Sequence, residues 1–147
     1  ADGQGGGEMI KLGAFDSGVN TKGMVVSFYN GAGSPLWYAA DANVSTSIRD
    51  ATALLGVALD VDGGSDEGLV LLRGYVRIDS SLMNNFTNAN TDIGQPVYLS
   101  ATSGEYDMNP PSGNNDIARI AGYMLDSDGT DHLIYFRPSN DWVKVSA

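Results

Sequence analysis

The chain has 147 residues, a size at which a single domain buries its own hydrophobic core. A formal net charge of −10 and a pI near 4.1 exclude docking on bare nucleic acid or on an anionic membrane surface, both of which demand basic patches. The absence of cysteine excludes a disulfide framework, a thiolate metal site and a cysteine nucleophile, while 19 glycines, about twice the usual share, favour short strands joined by turns.

The first seven residues carry four glycines and no large apolar side chain, and read as a flexible arm. Glu8, Met9, Ile10, Lys11 and Leu12 follow with alternating apolar character, the pattern of a strand that pairs with a partner's sheet edge. The domain reading is therefore an arm over residues 1–12 and one β domain over 13–147. The start has neither the cationic end nor the apolar stretch of a signal peptide, and no run of 18 apolar residues exists, so the expectation is a protein made in the cytosol.

Val25, Val26, Phe28 and Tyr29 mark a strand that stops at the turn signal Asn30-Gly31, with Leu36 to Ala40 as its hairpin partner. A short helical turn fits between Asn43 and Ala53. Leu54 to Leu59 and Leu69 to Leu72 flank an acidic glycine-rich loop, and Gly74 to Ile78 continues in strand alternation. Met83 to Asp92 reads as a surface loop. Strand structure resumes at Gln95 to Ser100, with Pro96 at its first position, and Pro110 to Asn115 is loop. Ile117 to Leu125 and Leu133 to Phe136 form a further strand pair, and Asp141 to Val145 a final short strand.

Internal similarity organises these elements. Leu55-Gly56-Val57-Ala58-Leu59-Asp60 lies over Ala121-Gly122-Tyr123-Met124-Leu125-Asp126 at an offset of 66. Upstream, Lys22 to Ser27 aligns with Ile93 to Tyr98 at 71, and downstream Leu69-Val70-Leu71 aligns with Leu133-Ile134-Tyr135 at 64. The repeat spans about 22–78 and 93–145. The expected fold is mainly β, a compact barrel or sandwich built from two similar β units around one core.

His132, the only histidine, follows an acidic turn and reads as a solvent-facing turn residue rather than a general base. There is no nucleophile elbow, phosphate-cradling loop or His-Glu-x-x-His signature. Asp60, Asp62, Asp66 and Glu67 cluster in one turn, and Asp126, Asp128 and Asp131 in its equivalent. The glycine of each falls at the fourth position where a calcium loop needs it at the sixth, so both read as metal-free hairpin tips.

At Leu54 to Asp60, Gly68 to Val76, Gly94 to Ser100 and Ile134 to Val143 the chain resembles β-rich structural domains of tailed bacteriophages, seen in capsid decoration (cement) proteins and in fibres, especially of marine and cyanobacterial phages. The resemblance covers most of residues 20–145. It implies a protein with no enzymatic activity and no cofactor that binds the outside of the capsid and stabilises it. The implied partner is the major capsid protein, the implied assembly a homotrimer, and the implied location the virion surface after synthesis in the host cytoplasm, with no nucleic acid or membrane contact. The expected capsid contact is Glu8, Met9, Ile10, Lys11 and Leu12. The chain has neither heptads nor a shaft repeat, which favours a cement protein over a tail-fibre or tail-associated module. A carbohydrate-binding β module is the remaining alternative and needs Trp37, Tyr38 and Trp142 along one groove; core or subunit interface is the preferred reading of those three.

Overall fold

Period-two alternation of apolar residues dictates strands, and the computed structural model, which describes residues 5–44, 46–61 and 68–146, is mainly β. In chain order it holds β1 (Gly5–Lys11), β2 (Ala14–Phe15), β3 (Val25–Asn30), β4 (Pro35–Ala39), α1 (Arg49–Thr52), β5 (Leu54–Ala58), β6 (Leu69–Asp79) and β7 (Met83–Asn84). After these come α2 (Ala89–Asp92), β8 (Pro96–Leu99), β9 (Tyr106–Asp107), β10 (Ile117–Ala118), β11 (Ile120–Ser127), β12 (Asp131–Phe136) and β13 (Val143–Lys144). The Met83–Asp92 stretch, expected to be plain loop, thus carries β7 and α2; the side chain of Asn88 caps α2 by accepting from the Thr91 amide.

Eleven strands form one mixed sheet in the order β2-β4-β3-β5-β6-β12-β11-β8-β9-β7, with β1 paired to β6, and β10 pairs β13 separately. The order is palindromic about the β6–β12 boundary. On either side the outermost pair is parallel, β2 with β4 and β7 with β9, while the inner neighbours are antiparallel. Ladder register carries the same correspondence. Val26 faces Gly56 in the first half and Val97 faces Gly122 in the second; Val57 faces Leu71 and Tyr123 faces Tyr135. These pairs reproduce the sequence offsets of 71, 66 and 64. Because β6 and β12 are antiparallel and equivalent, a pseudo-two-fold axis passes between them.

Each half opens on the same turn. Met24 N–H donates to Thr21 O and Gln95 N–H to Asp92 O, with Gly23 and Gly94 at φ of +95° and +85°, a backbone region nearly closed to other residues. Reciprocal bonds then lock each turn to its strand. Gly23 N–H donates to Ala58 O and Ala58 N–H to Met24 O, while Gly94 N–H donates to Met124 O and Met124 N–H to Gln95 O.

The two halves share one core of fully buried side chains, among them Trp37 and Leu55 from the first and Tyr106, Ile134 and Phe136 from the second. Tyr106 Oη donates to Gly23 O at 2.8 Å across the halves. Among the described residues the ladder order does not close on itself.

The N-terminal arm expected over residues 1–12 is corrected for residues 5–12. Gly5–Lys11 lies antiparallel along β6, from Gly5 opposite Val76 to Lys11 opposite Leu69, and Leu12 O accepts from Trp37 Nε1 at 2.5 Å. Residues 1–4 lie outside the described residues. The physical reason is close backbone approach. A Cβ on Gly7 would stand 2.2 Å from Arg73 O, and one on Gly74 2.2 Å from Gly6 O, so two facing glycines bring the strands together where any side chain would part them.

Candidate functional site

The expected contact residues Glu8, Met9, Ile10, Lys11 and Leu12 are brought together on and just after β1. Ile10 turns toward the core, whereas Met9 and Leu12 stay 40% and 37% exposed. Glu8 alone of the five also lines a cleft of about 570 Å³ that spans the pseudo-two-fold axis.

Cleft and symmetry are linked by residue. Leu54 and Ile120 line it and stand at the offset of 66; Arg73 and Arg137 line it and stand at the offset of 64. One more step of the β6–β12 ladder beyond Gly74–Phe136 would set the two arginines opposite each other. Both are exposed, and neither guanidinium has a hydrogen-bond or ion-pair partner among the described residues. Two other arginines are committed elsewhere. Arg49 lies 4.6 Å over the Tyr29 ring and donates to Asn30 O, and buried Arg119 donates to Ala51 O at 2.9 Å, Ala53 O at 2.8 Å and Ser139 O at 2.8 Å. Burial lowers the pKa of Arg119. By holding Ala53 and Ser139 it sets the places of Leu54 and Ser139, which line the cleft.

Symmetry breaks on the second half's side. Tyr123, 37% exposed, lines the cleft where its counterpart Val57 is buried, and Ser139, Asn140 and Asp141 add polar groups. Tyr123 continues a row: it faces Tyr135, which faces Tyr75, and register partners share one face of a sheet. The Tyr75 and Tyr135 rings are 5.7 Å apart. Tyr75 is 56% exposed because its β1 neighbour in the ladder is Gly6.

No family model, curated protein or solved structure matches the chain.

One expectation is corrected. His132 is not a solvent-facing turn residue: it lies on β12, 1% exposed, with its ring 4.5 Å from that of Phe86 and its Nδ1 without a hydrogen-bond partner. Burial lowers its pKa, against the opposing pull of Asp128, Asp131 and Asp79. Trp37 lies in the core, as its preferred reading had it, packed 4.8 Å from Phe28, so it cannot line a groove with the exposed Trp142. Tyr38 stacks on Tyr29 at 4.3 Å. In the second acidic turn Asp128 accepts from the Thr130 and Asp131 amides, and these bonds hold its carboxyl below the usual range. Asp62, Asp66 and Glu67 of the first turn lie outside the described residues. Among the described residues no three carboxylate or imidazole groups converge as metal ligands.

A second cluster is structural. The Tyr29 hydroxyl donates to the buried Asp50 carboxylate, and burial, the largest cause, raises the pKa of both. Asp50 in turn follows Arg49, whose carbonyl accepts from Ser27 Oγ at 2.5 Å, tying α1 to β3.

Proposed function

We propose that this chain is a non-enzymatic structural protein of the capsid-decoration kind, docking on the outside of a virion shell through β1 and acting as a homotrimer. The observation that carries the reading is β1 itself. It pairs only with β6 among the described residues, and it presents Met9 and Leu12 to solvent beside Glu8 and Lys11. An unpaired edge with exposed apolar side chains is what strand addition by a second protein uses, main-chain bonds supplying affinity and side chains selectivity. The likeness of its strand-and-turn segments to phage virion modules agrees with this, and the major capsid protein is the proposed partner.

In this reading the two halves wrap their core as a barrel or sandwich does. What supports it are backbone bonds that join the ends of the β3–β4 region to the turn between β8 and β9, remote in the sheet order: Val25 N–H to Gly104 O, Gly104 N–H to Ala40 O and Ala42 N–H to Ser100 O. A tail-associated role rests on the same strand likeness.

The test is quantitative mass spectrometry of purified source particles together with co-sedimentation on heads that lack the protein. The expected result is copy numbers matching the shell lattice, and loss of co-sedimentation on Met9→Glu with Leu12→Glu while light scattering still reports three chains per particle. A protein absent from purified particles, or one that coats heads equally well with both substitutions, refutes the docking role.

A further inference from the structure

We infer that the cleft on the pseudo-two-fold axis is a binding site for an acidic glycan, its paired arginines receiving the carboxylate of a uronic acid residue. This goes beyond the decoration reading and does not rest on it.

Arg73 and Arg137 are equivalent residues from the two halves, both line one cleft, and neither forms an ion pair or hydrogen bond with a neighbour among the described residues. Glu8 faces Arg73 in the ladder yet forms no ion pair with it. Two guanidinium groups lining one cleft, with Glu8 and Asp141 at its sides, form a recess that a single carboxylate can enter. Guanidinium forks bind planar carboxylates with two parallel hydrogen bonds, and a pair of forks holds one carboxylate from both sides.

The rest of the cleft selects what carries that carboxylate. Leu54, Ile120 and Pro138 give apolar walls, and Tyr123 offers a ring face suited to the C–H face of a pyranose. Ser139, Asn140 and Asp141 supply donors and acceptors for hydroxyls. Asp141 and Glu8 also argue against denser polyanions. A carboxylate accepts from a sugar hydroxyl, and its repulsion of a bound anion, like that of the chain's charge of −10, grows with the anion's charge density, so it weighs least on a uronate and most on a polyphosphate backbone. An acidic glycan carries single, spaced carboxylates on an otherwise neutral, hydroxyl-rich body. Tyr135 and Tyr75 extend the ring row from Tyr123 across β12 and β6, giving further sugars a surface to lie on.

The experiment is titration calorimetry at low salt with oligomers of galacturonate, mannuronate and glucuronate, alongside their methyl esters, an oligothymidylate and a glutamate peptide. At least one free-acid oligomer should bind with a dissociation constant below about 1 mM. Its methyl ester, and the variants Arg73→Gln and Arg137→Gln, should each bind about 10-fold more weakly, the loss expected for one charge-assisted contact. Tyr123→Ala should weaken binding as well, whereas Lys144→Gln, which removes the same charge elsewhere, should not. The arginines are exposed and unpartnered, so melting temperatures should stay at the wild-type value and separate lost binding from lost folding. The inference is overturned if no uronate oligomer binds, if acid and ester bind alike, or if both arginine variants bind as the wild type does. Tighter binding of the oligothymidylate or the glutamate peptide would assign the cleft to nucleic acid or protein and overturn it equally.

Discussion

Replacing Arg119 by methionine tests how the cleft is held. Its guanidinium is buried and its three bonds all go to carbonyls: Ala51 and Ala53 at the end of α1, and Ser139 in the stretch that follows β12. A hydrogen bond from a charged donor contributes about 1.5–3 kcal/mol, but the methionine variant also escapes the cost of keeping a cation out of water, so the gross figure overstates the loss. What remains is the orphaned acceptors. The Ala51 bond is buried, and stranding its carbonyl costs about 1–3 kcal/mol; the bonds to Ala53 and Ser139 are partly open, and water restores some of their energy. Methionine keeps the apolar stem packed. The net expectation is a destabilisation of about 2–4 kcal/mol, or a fall in melting temperature of roughly 6–12 °C for a chain of this size.

Urea unfolding followed by tryptophan fluorescence measures this directly, with Arg119→Lys as the control that keeps a cation but reaches fewer carbonyls. Lysine should lie between wild type and methionine. Amide exchange at Leu54 and Ser139 should rise in the methionine variant at urea concentrations well below the transition, since both segments lose their shared anchor. A cost under about 0.5 kcal/mol, or methionine no worse than lysine, would show that the carbonyls find water easily and that Arg119 does not fasten the cleft walls.

Two further substitutions address β1 and the buried imidazole. Gly74→Ala, at φ +139° with Gly6 O only 2.2 Å from the new Cβ, should cost at least about 2 kcal/mol and unprotect β1 amides in hydrogen exchange, whereas Gly6→Ala, whose Cβ meets nothing within 4 Å, should be neutral or slightly stabilising. Equal costs at the two positions would mean that β1 does not dock as described. Because burial depresses His132 below its ordinary 6.5, the stability it allows is fully present above that value and is lost as pH falls toward the lower folded value. His132→Phe should remove that slope. Asp41 and Asp50, raised by burial, act in the opposite sense, so the difference between variant and wild-type unfolding curves is the quantity to compare. Parallel curves from pH 7.5 to 5 would refute the assignment.

Much of the architecture was legible because turns that need a glycine announce themselves. Gly23 and Gly94 sit at positive φ at the head of corresponding strands, so the two blocks of sequence around them align on their glycines alone. β1 was illegible by the same logic inverted. A run of glycines has no side-chain period and reads as an arm, and the counter-signal lay 67 residues away in Gly74, which looks like a strand start but sits inside β6 opposite Gly7. His132 was misread through its acidic neighbours. Its alternation told more: it shares parity with Ile134 and Phe136, all three buried, while Leu133 and Tyr135 are only partly so. Arg73 and Arg137 were within reach too, since extending the Leu71–Tyr135 alignment by two residues pairs them; nothing in the sequence placed both at one cleft until the β6–β12 ladder was known.

That ladder explains why a duplicated strand plan would produce a site where neither copy has one. Joining equivalent strands antiparallel at the axis places each half's residue beside its twin, so Leu54 meets the neighbourhood of Ile120 and Arg73 that of Arg137. Twinned charges repel, a liability for a purely structural seam but a fixed feature for recognising an anion. Symmetry alone would give a cleft indifferent to direction. The departures from it supply polarity: β1 pairs β6 and brings Glu8 to one side, while Tyr123, Ser139, Asn140 and Asp141 furnish the other. A ligand seated on the arginine pair therefore meets different chemistry at its two ends, and the half that diverged from its twin is the one that decides which end goes where.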